Sequence, residues 1–117
     1  MIYTSYFASK KYNKEQGISI ARYNKFWQGD SYPNLFPSLS LLAWWKSLPV
    51  ELQKSEEYQQ LYFNKYKQET LAPLDPHKVA AELNNKILLC YEKSEYFCHR
   101  YIVAAWLRHY GYEAEEL

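Results

Sequence analysis

Glycine is scarce, at three residues in 117. That excludes a glycine-rich phosphate cradle, because the P-loop and the dinucleotide fingerprint both need glycines where the backbone approaches phosphate. Cysteine is scarcer still. Cys90 and Cys98 stand eight positions apart, and the pair does not read as a disulfide framework. A reducing, cytoplasmic setting is therefore expected. No run approaches the ~20 apolar residues of a membrane span, and mean hydropathy is −0.57. The first residues lack a basic segment followed by a long apolar stretch, so no secretory leader is expected. Neither sign of charge dominates: 14 basic residues face 13 acidic ones, for a net charge of +1. Bulk attraction to nucleic acid or to an anionic membrane is not indicated. Repeats and internal linkers are also missing, so residues 1–117 read as a single domain.

Aromatic residues, by contrast, are dense: 19% of the chain, with 13 tyrosines. A small domain uses large side chains to enlarge a limited core. The alternative is an aromatic surface for a ligand or partner.

The order of elements points to an α/β layered domain with about three mainly parallel strands flanked by helices. Residues 2–7 and 18–22 are rich in β-branched and aromatic side chains and read as strands. Residues 23–37, with Gly29, Pro33 and Pro37, read as a long loop. Ser38 or Ser40 can cap a helix through Leu48, which Pro49 stops. A second helix is expected over residues 50–71, with Tyr58, Leu61, Tyr62 and Tyr66 at helical spacing. Asp75-Pro76 opens a third. Residues 87–91 form a continuous apolar run, as in a strand buried on both faces. A last helix is expected over residues 98–110, closed by Gly111. The acidic end, residues 113–117, reads as a fraying tail.

Reactive side chains gather between the last strand and the last helix. Cys90, Glu92, Cys98, His99 and Arg100 lie where unpaired N–H groups and the positive end of a helix dipole meet a loop. Parallel sheets hold ligands at the carboxyl ends of their strands. Those ends supply Ser5, Tyr6, Arg22, Cys90 and Glu92 to the same edge.

Leu89-Cys90-Tyr91-Glu92 and Phe97-Cys98-His99-Arg100-Tyr101-Ile102-Val103-Ala104-Ala105-Trp106-Leu107 together resemble the signature of the family called "domain of unknown function 488". Tyr3-Thr4-Ser5-Tyr6-Phe7-Ala8, Ser19-Ile20-Ala21-Arg22-Tyr23 and Pro37-Ser38-Leu39-Ser40-Leu41-Leu42 resemble its earlier segments. The resemblance implies a fold and a site more than an activity. Many relatives carry an acidic residue two before the second-strand arginine. Here Ile20 stands there, so no second carboxylate is supplied.

Cys98 is the candidate nucleophile, since positive charge and a helix start favour thiolate. His99 and Glu92 are its candidate catalytic partners, with His99 as base, acid or hydrogen-bonder. The alternatives are a thiol that only packs and a core histidine. Cys90 is a ligand-side residue or a small core residue. Arg22 and Arg100 are expected to approach one another and clamp a phosphate or carboxylate. The alternative is a structural ion pair with Glu92 or Glu95. Zinc on Cys90, Cys98 and His99 is not expected: the spacing is unusual, and adjacent Cys98 and His99 should diverge on a helix. No metal and no cofactor are assigned.

Three function classes follow. One is a cysteine-dependent enzyme acting on a small anionic or nucleotide-like ligand. Another is a non-catalytic module that binds or sequesters such a ligand. The third is a protein-interaction domain whose Cys-His-Arg motif is structural.

Overall fold

Short apolar runs set the sheet. In the computed structural model, which describes residues 1–93 and 95–117, they form β1 (Ile2–Tyr6), β2 (Gly17–Ser19) and, after a two-residue β3 (Asp30–Ser31), β4 (Ile87–Cys90). A last strand, β5 (Ala114–Glu116), completes a five-stranded sheet in the order β3-β2-β4-β1-β5. All pairings are parallel. Between β3 and β4 come α1 (Leu39–Ser47), α2 (Val50–Gln53), α3 (Glu56–Tyr66) and α4 (Pro76–Glu82). The helix α5 (His99–His109) joins β4 to β5. The expected α/β class holds, with five strands where about three were expected.

The apolar run of β4 is central, and each of its residues is buried. Its register sets Cys90 opposite Tyr6 and Leu89 opposite Ser19. The carboxyl ends of β1, β2 and β4 therefore open on one edge.

β2 stops at Ser19 rather than at residue 22, for a local reason. The Ser19 hydroxyl accepts from the Ala21 N–H at 3.2 Å, and the Asn24 amide donates to Ser19 Oγ at 2.7 Å and to the Ala21 carbonyl at 2.9 Å. Such side-chain bonds give the backbone an alternative to the ladder. The chain turns out of the sheet there, which frees the Ile20 carbonyl for another partner.

The expected loop over residues 23–37 contains β3, which pairs Asp30 and Ser31 with Ile18 and Ser19. The acidic end does not fray. Ala114, Glu115 and Glu116 pair with Ile2, Tyr3 and Thr4.

Ser38 caps α1, its hydroxyl accepting from the Leu41 N–H at 3.0 Å. Asp75 caps α4 the same way, accepting from the His77 N–H at 2.9 Å. Residues 50–71 are not one helix. Ser55 starts α3 as a fresh cap, accepting from the Tyr58 N–H, and a π-turn over Lys67–Leu71 ends it. Between helices and sheet, Leu35, Leu41, Tyr66, Leu83, Leu88, Val103 and Leu107 are fully buried. Burial of each such side chain contributes roughly 1.5–3 kcal/mol. The Tyr66 hydroxyl donates to the Leu35 carbonyl at 2.7 Å, which satisfies its one polar group.

Candidate active site

The chain leaves the sheet at Cys90, and Cys98 is the residue that precedes α5. Cys98 is extended, with φ −152° and ψ 149°, so it is not yet helical. The turn of about 100° that separates helical neighbours is therefore absent between Cys98 and His99. Their side chains converge, with Cys98 Sγ 3.7 Å from His99 Nδ1. This corrects the expectation that the two diverge and that Cys98 lies in the first helical turn.

The two cysteines are joined as a disulfide, with Cα atoms 7.4 Å apart. This also corrects the sequence reading. Eight positions of separation suggested no bridge, but the strand end and the helix start return to the same point.

His99 is buried, and its Nε2 lies 2.7 Å from the Ile20 carbonyl oxygen. A carbonyl oxygen only accepts, so Nε2 carries the proton. Nδ1 is then left with a lone pair beside sulfur. Burial pushes the imidazole down from 6.5 to about 4; the Arg100 charge acts in the same direction, and the bond to Ile20 opposes both. At neutral pH His99 is uncharged.

Arg100 is fully buried. Its Nε and Nη2 donate to the Glu116 carboxylate at 3.0 and 2.9 Å, a two-pronged pair. Nη1 donates to Cys90 Sγ at 3.2 Å, and Nη2 also reaches the Tyr101 hydroxyl at 3.1 Å. The Thr4 and Tyr101 hydroxyls donate to the same carboxylate at 2.6 and 3.1 Å. The guanidinium thus supports Cys90 and not Cys98. Its carboxylate partner is Glu116 rather than Glu92 or Glu95, both of which are exposed.

Arg22 has other partners. Its Nε donates to the Pro37 carbonyl at 2.9 Å, and its guanidinium lies over the Phe36 ring. The two arginines are therefore not a clamp: Arg22 lines the cleft described below and Arg100 does not. Ser5 is fully buried, its hydroxyl without a partner among the described residues. Neither Ser5 nor Tyr6 lines the cleft.

The cleft encloses about 580 Å³. Ala21, Arg22 and Tyr23 line it after β2; Cys90 at the end of β4 and Tyr91 and Glu92 after it; Phe97, Cys98 and His99 before and at the start of α5. Trp45 and Lys46 of α1 and Tyr62 of α3 add to the wall. The Lys46 ammonium sits 4.6 Å from the Tyr23 ring centre. Of the expected site residues, Arg22, Cys90, Glu92, Cys98 and His99 meet here.

Sequence reasoning missed Glu116, the Ile20 carbonyl and the α1 wall. Glu116 lies in a short acidic segment without strand signals. A backbone acceptor has no side-chain signature at all. Trp45 and Lys46 belong to a helix whose approach to the strand ends is set only by tertiary packing.

The protein is thus of the α/β class, with a cysteine pair, a tautomer-fixed histidine and a buried arginine at the carboxyl edge of a parallel sheet. The chain belongs to the family described as "Active DUF488-N3 subclade", whose model matches residues 2–111. The match includes every cleft residue but ends before Glu116. No curated protein and no solved structure matches the chain. Among the described residues, no helix is long and apolar enough to cross a membrane.

Proposed function

We propose that the chain is a cysteine-dependent enzyme acting on a small anionic, nucleotide-like ligand held in this cleft. One observation carries the reading. The Ile20 carbonyl fixes the proton on His99 Nε2, so Nδ1 faces Cys98 as an acceptor at 3.7 Å. That is the geometry a nucleophile and its base require.

The working state is the reduced one, since a bridged sulfur cannot ionise to the thiolate that attacks carbon or phosphorus. A reducing cytoplasm would keep the pair open. His99 acts as the base during the reaction, while the start of α5 stabilises the charge that develops on sulfur. Arg22 and Lys46 supply positive charge in the cleft, and Trp45, Tyr23 and Tyr91 offer flat faces for a base to stack on. Glu92, on the same wall, is the remaining candidate for proton transfer.

The test begins with mass spectrometry of small molecules that co-purify with the reduced protein, followed by calorimetry with phosphate and a nucleotide panel. Arg22→Lys keeps the charge but loses the planar fork, and it should weaken binding about tenfold without unfolding the domain. Cys98→Ser should retain binding and lose turnover. Binding that survives with no turnover even in the wild type would identify a sequestering module. If no anion binds at millimolar concentration, the cleft reading fails and a protein-interaction role replaces it.

A further inference from the structure

We propose that the reduced protein binds a thiophilic divalent ion, zinc above all, through Cys90 Sγ, Cys98 Sγ and His99 Nδ1, with the fourth position open to the cleft. The inference rests on the reduced state of the same site and adds a ligand to it.

The three donor atoms lie within 4.8 Å of one another, and all three residues are buried. Zinc–sulfur and zinc–nitrogen bonds of ~2.3 and ~2.0 Å at tetrahedral angles put ligand atoms roughly 3.5–3.8 Å apart. The Cys98 Sγ to His99 Nδ1 distance is 3.7 Å. Reduction lets the two sulfurs separate, and Cys90 Sγ, which lies within 4.8 Å of the other two donors, must settle at the same spacing of roughly 3.5–3.8 Å from each.

The surroundings match what such a site needs. A metal-bound histidine commonly donates its other N–H to a backbone carbonyl, which fixes the ring and its tautomer. His99 Nε2 does this to Ile20 at 2.7 Å. A metal-bound thiolate is charged and accepts hydrogen bonds, and the Arg100 Nη1 sits 3.2 Å from Cys90 Sγ. Two thiolates balance a divalent cation, and Glu116 balances Arg100. No charge is left unmatched. Three protein ligands beside a cleft of about 580 Å³ leave room for a water or a substrate atom as the fourth ligand, the open arrangement of reactive zinc sites.

The steps balance. A dithiol reductant delivers two electrons and two protons to the Cys90–Cys98 bond and leaves as its own cyclic disulfide. Ion binding then releases both thiol protons. The loaded form has neither a free thiolate nor a free Nδ1, so the ion silences the nucleophile. The cysteine pair thus has three states: bridged, free and metal-bound.

The test uses the full chain, reduced with a dithiol and freed of reductant and metal without air, then titrated with cobalt(II) as the spectroscopic probe. One equivalent per chain should bind and give thiolate-to-cobalt charge-transfer bands with the visible bands of a tetrahedral site. Zinc should displace it. The oxidised protein, folded by the same core, should bind none. Cys90→Ala and Cys98→Ala should each weaken binding by more than about a hundredfold, beyond the loss a missing supporting partner causes. A reduced protein that binds neither ion at micromolar concentration overturns the proposal, as does an unchanged spectrum in both variants. The alkylation rate of Cys98 in chelator-treated reduced protein reads the nucleophile separately. Fast alkylation without metal binding removes only the metal site, and metal binding with slow alkylation removes only the nucleophile.

Discussion

The Ile20 carbonyl determines which nitrogen of His99 is basic, and the consequence reaches stability. The His99 pKa is lowered by burial, with Arg100 adding to the effect, from 6.5 to about 4. In the unfolded chain the ring charges as pH falls through 6.5, whereas in the folded chain it stays neutral until about 4. The unfolded state therefore binds more protons across that window. The contribution is fully present above 6.5 and is lost progressively down to about 4. By linkage the loss is about 3 kcal/mol. Urea unfolding of wild type and His99→Gln between neutral and acid pH checks this. The wild type should lose stability more steeply across the window, and equal slopes would contradict the buried neutral imidazole. The residue types at the site were legible in the sequence, because Cys98, His99 and Arg100 adjoin a helix start. Which sulfur Arg100 serves was not legible, because that depends on the extended backbone of Cys98 and on a carboxylate sixteen residues downstream.

At the level of elements, strands with continuous or β-branched runs could be read directly. β1 and β4 match their expected spans to within a residue. Ser38 and the Asp75-Pro76 pair also announced their helices. The break before α3 carried a signal too, in Ser55-Glu56-Glu57, a cap followed by acidic residues that suit a helix start. β3 and β5 carried none: Asp30-Ser31 and Ala114-Glu115-Glu116 are strands because a neighbouring strand offers an edge, not because their side chains prefer the conformation. β5 brings Glu116 to Arg100, whose side chain is 0% exposed against 20% for the glutamate. Removing one partner of a buried pair leaves an uncompensated charge at about 3–5 kcal/mol. Deleting residues 113–117 should therefore lower the urea midpoint sharply. Glu116→Gln, which keeps the strand, should retain most of that loss if charge dominates. An unchanged midpoint in the deletion would mean that the segment frays after all.

For the whole molecule, parallel pairing and strand order bring the ends of β2 and β4 and the start of α5 to one edge, as strand–helix alternation suggested. The helical wall around that edge was not foreseeable, because α1 and α3 reach it by packing of aromatic side chains: Trp45 against Tyr62 and Phe97, and Tyr62 against Phe97. The same edge gathers Cys98 with a proton acceptor, while Cys90, fully buried in the central strand, holds a guanidinium. The most direct test is the alkylation of the two thiols in the reduced, metal-free protein at neutral pH, read by peptide mass spectrometry. Cys98 should label at least about tenfold faster than Cys90, because it stands outside the sheet at the start of α5, whereas Cys90 is fully buried in the central strand, and that shielding outweighs the thiolate that Arg100 favours at Cys90. His99→Gln should slow Cys98 selectively. Equal or inverted rates, or a Cys98 rate indifferent to His99, would contradict Cys98 as the nucleophile.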